Sequence, residues 1–326
     1  MGNTTTMHLA VSLDLTSMPT PDFGLVAGLA RKAEEAGLDM AIIVDSAPGS
    51  AHSSSSFEAT TLLAALATVT SRIGLVARAS TIAHQPYNLA RRFASLDIIS
   101  HGRTGWNATV AQSPREAANF SRPDGFSEGD FRRRTEEYIG IVQGLWQGWD
   151  ADALLFDKSG GRFHYPEKMH LLDHKGEFFS VRGPLNIARS PQDMPVLVLS
   201  GLSESDMDVA ARTADVVLLE HGPSNVAKAR IDDLRRRVTA AGRDPGAMKV
   251  LMNVAGSDRA AADRLEEWLR SEGCDGFNVL VPAQLPALDN FVDRVVPELR
   301  RRGLVRGGYR GTTLRSHLGL AGGGSQ

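Results

Sequence analysis

Residues 72–112 read RIGLVARASTIAHQPYNLARRFASLDIISHGRTGWNATVAQ, and this stretch decides the fold. Residues 73–79 are an apolar run of strand length that ends in small and polar side chains. Gln85-Pro86 opens a helix, because proline fits the first helical turn, where an N–H has no intrahelical partner to lose. Leu89, Phe93, Leu96 and Ile99 then recur at three- and four-residue steps, which puts them on one buried helix face. His101-Gly102 closes the helix, glycine being free to take the left-handed conformation of a cap. Residues 105–110 supply a second short run. Strand, helix, strand is a βαβ unit, which implies parallel strands buried on both faces.

The same alternation extends both ways. N-terminal to the quoted stretch, residues 7–13 read as a strand. Residues 23–36 read as a helix with Leu25, Val26, Leu29 and Ala33 on one face and Gly37 as its stop. A strand over 38–44 ends at Asp45-Ser46, and a helix follows over 57–69. C-terminally, 128–146 is a helix with a charged start. Strands over 195–199, 215–219, 249–254 and 276–281 alternate with helices over 205–213, 224–241, 257–271 and 285–301, Ser224 being the expected cap of the second of these. Residues 149–194 break the rhythm, and Asp173-His174-Lys175-Gly176 reads as a hairpin turn between runs at 169–172 and 178–181. Eight strand–helix pairs in 326 residues predict an α/β fold of the (β/α)8 TIM-barrel type, one domain over 1–320 with 149–194 as an excursion after the fourth β/α unit. Residues 321–326 read as a flexible tail.

Composition narrows the function. Net charge is −2, which gives no basic footprint for nucleic acid. No apolar run approaches membrane-spanning length. The N-terminus lacks the basic–apolar–cleavage pattern of a secretory leader. The single Cys274 excludes an internal disulfide framework, so a cytoplasmic location is expected. There is no G-x-S-x-G elbow, no P-loop lysine and no G-x-G-x-x-G after a strand, which disfavours serine hydrolysis, nucleotide hydrolysis and nicotinamide binding. His164, His170 and His174 lie in or beside the hairpin without cysteine or carboxylate at a fitting spacing, so no metal is expected there. The Arg132-Arg133-Arg134 run reads as a solvated helix face.

In such a barrel the chemistry sits where strands end and loops begin. Those positions carry Asp14, Asp45, Ser46, Arg78, Ser80, Thr81, Asn107, Thr109, Gln112, Ser200, Ser203, Glu220, His221, Asn253 and Asn278. Many neutral hydrogen-bonding groups and few charges suit a polar heterocycle or amide. The Gly201-Leu202-Ser203-Glu204 turn has two open readings, a backbone cradle for an anion such as phosphate or a plain cap by Ser203.

The segment ARRFASLDIISHGRTGWNAT resembles the signature region of bacterial-luciferase-like flavin monooxygenases, in the branch of nitrilotriacetate and dibenzothiophene-sulfone monooxygenases. IVQGLWQGWDADA (141–153), KMHLLDHKGEFFSVRGPLNIARSPQDMPV (168–196) and VVPELRRRGLVRGGYRGTTLRSHLGL (295–320) agree in order. The resemblance implies a (β/α)8 barrel and a monooxygenase that takes reduced FMN from a separate flavin reductase, uses O2 on a small organic substrate and forms a homodimer. It implies flavin contacts at Asp45 and Asn107 and a phosphate turn at Gly201 to Ser203.

Departures are as informative. Arg78 stands where the family has threonine, with Ser80 following it. Val110-Ala111 replace a polar pair. Glu128 and Arg132 replace a histidine and a tyrosine that face the flavin, and either new arginine can still hold an anion. The long excursion after the seventh strand is missing, so the mouth loses its cover, and oxygen chemistry on flavin needs water kept out. Glu220 and His221 are the best-placed titratable groups for catalysis. Three readings stay open: an FMN-dependent monooxygenase, a non-catalytic luciferase-like partner subunit, and an oxidoreductase using the deazaflavin F420.

Overall fold

The computed structural model describes residues 6–18, 20–45, 57–112, 114–120, 124–255, 261–282 and 284–322. Ser46 and most of the tail lie outside them. The first half of the barrel is built as the apolar periodicity requires: β1 (His8–Asp14), α1 (Phe23–Glu35), β2 (Met40–Val44), α2 (Ala59–Ala67), β3 (Gly74–Ser80), α3 (Pro86–Ile99) and β4 (Thr104–Thr109). Two helices follow, α4 (Pro114–Asn119) and α5 (Glu128–Trp146). The excursion holds two antiparallel pairs, β5 (Leu154–Asp157) with β6 (Arg162–His164) and β7 (His174–Lys175) with β8 (Ser180–Val181). The second half runs β9 (Val196–Ser200), α6 (Met207–Thr213), β10 (Val216–Glu220), α7 (Ser224–Ala240), β11 (Lys249–Ala255), α8 (Ala261–Glu272) and β12 (Gly276–Pro282). Three short helices, α9 (Leu285–Asn290), α10 (Val296–Arg301) and α11 (Leu314–His317), complete the chain. The eight long strands close a parallel barrel in the order β1-β12-β11-β10-β9-β4-β3-β2.

Because successive side chains on a strand face opposite ways, each barrel strand feeds two cores. Leu9, Val11, Ala41, Ile43, Leu197, Leu199, Val217 and Leu219 pack outward against helices. Ala10, Met40, Ile42, Val76, Val196, Val198, Val216, Leu218 and Leu251 fill the lower interior together with Leu314 and Leu318 of the C-terminal helix segment. Glycine makes room for that plug: a Cβ on Gly74 would sit 2.4 Å from Leu314 Cδ1, and one on Gly105 would sit 2.9 Å from Val76 Cγ2. Arg103, 2% exposed, ties the lower ends together by donating to the carbonyls of Ala67, Thr70, Ile73 and Ser100, so its charge is buried but fully bonded.

Several details differ from the sequence-based expectation. The hairpin turn falls at 176–179, since His174 and Lys175 are themselves paired with Val181 and Ser180; the charge on Lys175 and the Glu137 partner of His174 are compatible with strand. A second hairpin, β5–β6, has no strong alternation in its sequence. Ser224 is the first residue of α7 behind Pro223, which offers no side-chain cap. The helix over 285–301 is interrupted by a π-turn at Phe291–Val295. Arg134 is not on a solvated face: it is buried, donates to the Thr81 carbonyl at 3.0 Å, and its guanidinium lies over the rings of Phe179 (4.8 Å) and Phe126 (5.1 Å). Arg133 is solvent-exposed and pairs with Asp130 and Glu177.

Beneath the barrel His317 is 1% exposed, stacks on Tyr309 with ring centroids 4.7 Å apart, and has no hydrogen bond at either ring nitrogen. Burial, aided by the positive charge of Arg306, pushes its pKa down to about 4. Its unfolded pKa is near 6.5, so the folded state resists protonating it. The stability this group contributes is intact above the unfolded value and is lost as pH falls toward the folded one, by roughly 2 kcal/mol between neutrality and about pH 4.5. We expect His317→Phe to flatten the acid limb of the urea-unfolding free energy by that amount relative to wild type. An unchanged pH slope contradicts this assignment.

Candidate active site at the barrel mouth

Above the apolar lower interior the inward positions turn polar. Strand register sets Arg78 of β3 beside Asn107 of β4, and Ser80 beside Thr109, which in turn pairs with Ser200 of β9. Arg78 Nε donates to Thr109 Oγ1 at 3.1 Å, and the Ser200 hydroxyl donates to Asn107 Oδ1 at 3.0 Å. Across the barrel, Asn278 of β12 donates to Ser12 Oγ of β1 (2.9 Å) and to Asn253 Oδ1 of β11 (2.8 Å). Asn253 in turn donates to Glu220 Oε1 of β10 at 2.8 Å. These chains satisfy the buried amides while leaving a surface of neutral donors and acceptors, as a close-packed polar layer must.

The strand order divides the mouth into two arcs. Asp45, Arg78, Ser80, Asn107, Gly201 and Ser203 follow or end β2, β3, β4 and β9, which are neighbours. Glu220, Asn253 and Asn278 belong to β10, β11 and β12, the opposite arc, and His221 directly follows β10. A cavity of about 400 Å3 opens over this second arc, between the strand ends and α8, with Glu220, His221, Asn253, Arg264, Trp268 and Phe291 among its walls. That is the size and mixed polarity of a small-molecule site.

The expected contact residues are used unevenly. Asp45 Oδ2 accepts the backbone N–H of Ala59 at 3.1 Å, which fastens the start of α2. Glu58 caps the same helix; burial works to raise its carboxyl, but hydrogen bonds from the side chains and backbone of Thr61 and Thr60 outweigh that and hold it below the ordinary range. His84, in the loop after β3, is held below the usual histidine value by burial and by the charge of Arg92. Ser80 Oγ accepts from Ile82 N at 3.1 Å, shaping that loop. Gln112 binds both backbone groups of Phe126 and so pins the approach to α5.

Glu128 and Arg132 form an i,i+4 pair at 3.4 Å on α5. The Glu128 side chain is 83% exposed, so it faces solvent. Gly201 takes φ +66°, a left-handed value suited to glycine, with open space at its Cβ. Both Ser203 donors are spent inside the turn: its N–H and its hydroxyl reach Asp206 Oδ2 at 2.9 and 2.5 Å. Ser203 and Asp206 thus form a capping box.

Sequence reasoning missed Ser12, Trp268 and Glu272. Ser12 lies inside a strand rather than at its end. Trp268 and Glu272 sit on α8, whose stripe of Leu265, Trp268, Leu269 and Glu272 reads as a packing face, and only the fold brings Trp268 to the cavity and Glu272 to His221. Among the described residues no cluster of three or more His, Cys, Asp or Glu is placed to hold a metal ion, and no helix is long and apolar enough to cross a membrane.

Comparison with known proteins agrees with this geometry. The profile of the family described as luciferase-like monooxygenase matches residues 4–279. Nitrilotriacetate monooxygenase component A of Aminobacter aminovorans is 34% identical, over 80% of this chain and 78% of its own. That alignment runs to 354 positions, so long segments of the relative have no counterpart here. One of the pristinamycin IIA synthase subunits of Streptomyces pristinaespiralis is also 34% identical, but over 313 positions covering 96% of this chain and 94% of that one, without long insertions. The structure superimposes on that of a long-chain alkane monooxygenase with a TM-score of 0.89, spanning 100% of this chain and 97% of that chain at 22% identity, a likeness of fold. With the profile spanning most of the sequence and relatives one-third identical along four-fifths or more of it, the chain belongs to the luciferase-like monooxygenase family.

Proposed function

We propose that this chain is a two-component, FMN-dependent monooxygenase, which receives reduced FMN from a separate reductase and uses O2 to oxygenate a small organic substrate. The observation that carries the reading is family membership joined to a mouth lined by neutral hydrogen-bonding groups. The ring end of a flavin suits this mouth. Because Asn107 Oδ1 accepts from Ser200, its amide N–H groups are the ones left to face a carbonyl of the ring edge. Arg78 adds a positive charge to the same layer, suited to an anionic reduced ring. The phosphate end would compete with Asp206, which fills the Ser203 donors; Glu204 beside them is already paired with Arg237. Bound flavin would supply the electrons that activate O2; the chain's own part is to hold the ring over β2, β3, β4 and β9 and the substrate over β10, β11 and β12.

A second reading has a specific observation behind it. The chain aligns end to end with a relative named as one subunit of a synthase, while longer relatives carry segments this chain lacks. On that reading the chain pairs with a longer luciferase-like protein, which roofs the mouth or holds the flavin itself. A homodimer is the corresponding expectation for the first reading.

An oxygen-free titration with reduced FMN and, separately, reduced F420, followed by protein fluorescence and calorimetry, tests the proposal. Saturable micromolar binding of reduced FMN, with weaker or no binding of F420, is the expected result. No binding of FMN at high micromolar concentration contradicts the monooxygenase reading. Preference for F420 replaces the cofactor.

The phosphate turn gives a sharper expectation. Removing the carboxylate in Asp206→Ala frees two donors and a charge, so FMN affinity should rise about tenfold relative to riboflavin, which lacks the phosphate; a charge-assisted hydrogen bond is worth about that much. An unchanged FMN-to-riboflavin ratio places the phosphate elsewhere.

A further inference from the structure

The β10–α8 side of the mouth carries a pair of residues not used so far. His221 directly follows β10, and its ring lies on that of Trp268 with centroids 3.9 Å apart and planes inclined by 40°. Its Nε2 is 3.4 Å from Oε1 of Glu272, the last residue of α8. Glu272 is 0% exposed, and neither of its oxygens has a hydrogen-bond partner; His221 Nε2 is buried in the same condition. A carboxylate removed from water without donors is costly. The group set against it is the His221 imidazole, one short movement from a hydrogen bond, and contacts of this kind often tighten only when a ligand binds.

His221 lines the 400 Å3 cavity together with Glu220, Arg264 and Trp268, and Glu272 lies behind it, away from the cavity wall. Nε2 is turned inward to Glu272, so Nδ1 is the nitrogen left for the cavity. Glu220, the other titratable candidate, is already engaged by Asn253 at the end of the Ser12–Asn278–Asn253 chain. His221 therefore has the freer chemistry of the two.

We propose that Glu272 is a positioning residue that holds His221 in the Nε2–H tautomer, so that an unprotonated Nδ1 faces the cavity and accepts a proton from the substrate bound there. One N–H bond forms at Nδ1 as one O–H or N–H bond of the substrate breaks. The electron pair stays on the substrate, and the imidazolium charge is met by the Glu272 carboxylate. A buried carboxylate fixing the tautomer and orientation of a histidine is a general device of acid–base sites. The inference rests on the mouth being the active site, but it concerns a tautomer that exists without flavin or substrate, so the two can fail separately.

Heteronuclear imidazole spectra of the full chain, with isotope-labelled histidine at mildly alkaline pH, read the tautomer directly. His221 is assigned by the signals lost in His221→Asn. The expected result is a single Nε2–H form in wild type, its loss in Glu272→Gln, and its retention in Glu272→Asp, which keeps the carboxylate. Near-ultraviolet circular dichroism confirms that the variants are folded. An Nδ1–H form in wild type overturns the proposal without reference to any variant, and so does a Glu272→Gln spectrum identical to wild type.

Discussion

Leu314 seated in the lower end of the barrel is the contact on which the rest of the structure depends. It reaches inward only because Gly74 and Gly105 carry no side chain there, and it joins the apolar layer of Val76, Val196, Val216 and Leu251. The neighbouring Arg315 donates to both oxygens of Asp215 at 2.8 and 2.9 Å, while Asp215 also accepts from Leu197 N. Burial pushes the Asp215 carboxyl up, and Arg315 opposes that. Removing one member of such a buried pair costs about 3–5 kcal/mol, because the other charge is left alone. The C-terminal segment thus closes one end of the barrel, and the polar inward-facing strand positions lie toward the other.

At that open end the side-chain alternation does the sorting. One set of neighbouring strands presents Arg78, Asn107 and Ser200, and the facing set presents Glu220, Asn253 and Asn278 with the cavity behind them. Arg78–Thr109 and Ser200–Asn107 hydrogen bonds link strands of the first set, and the Ser12–Asn278–Asn253–Glu220 chain runs through the second. In the turn after β9, the Asp206 carboxylate occupies the N–H and the hydroxyl of Ser203.

The barrel was legible because its signal is local. A strand of β-branched and leucine residues, a helix with a three-to-four-residue stripe and a glycine stop each declare themselves within about a dozen residues. The hairpins at 154–164 and 174–181 were less legible because they are short, half-exposed and without a sustained alternation. Site residues at strand ends could be enumerated, but not what each one does. Asp45 and Ser203 have the right types and positions for ligand contact, yet fasten a helix start and a capping turn. Glu272 could not be found at all from sequence. It lies fifty-one positions from His221, on a helix whose spacing speaks only of packing. Arg134 failed for a related reason: charge pattern cannot distinguish a solvated arginine from one held between Phe126 and Phe179.

The central claim is that ligand enters from one end only and lies against the strands that carry Arg78, Asn107 and Ser200. Amide hydrogen exchange followed by mass spectrometry, with and without reduced FMN under oxygen-free conditions, tests it most directly. The account predicts slowed exchange in the loops after β3, β4 and β9, residues 80–85, 110–112 and 201–206, with no change at 313–318 beneath the barrel. Slowing centred on 313–318, or none in those three loops at saturating flavin, would contradict it.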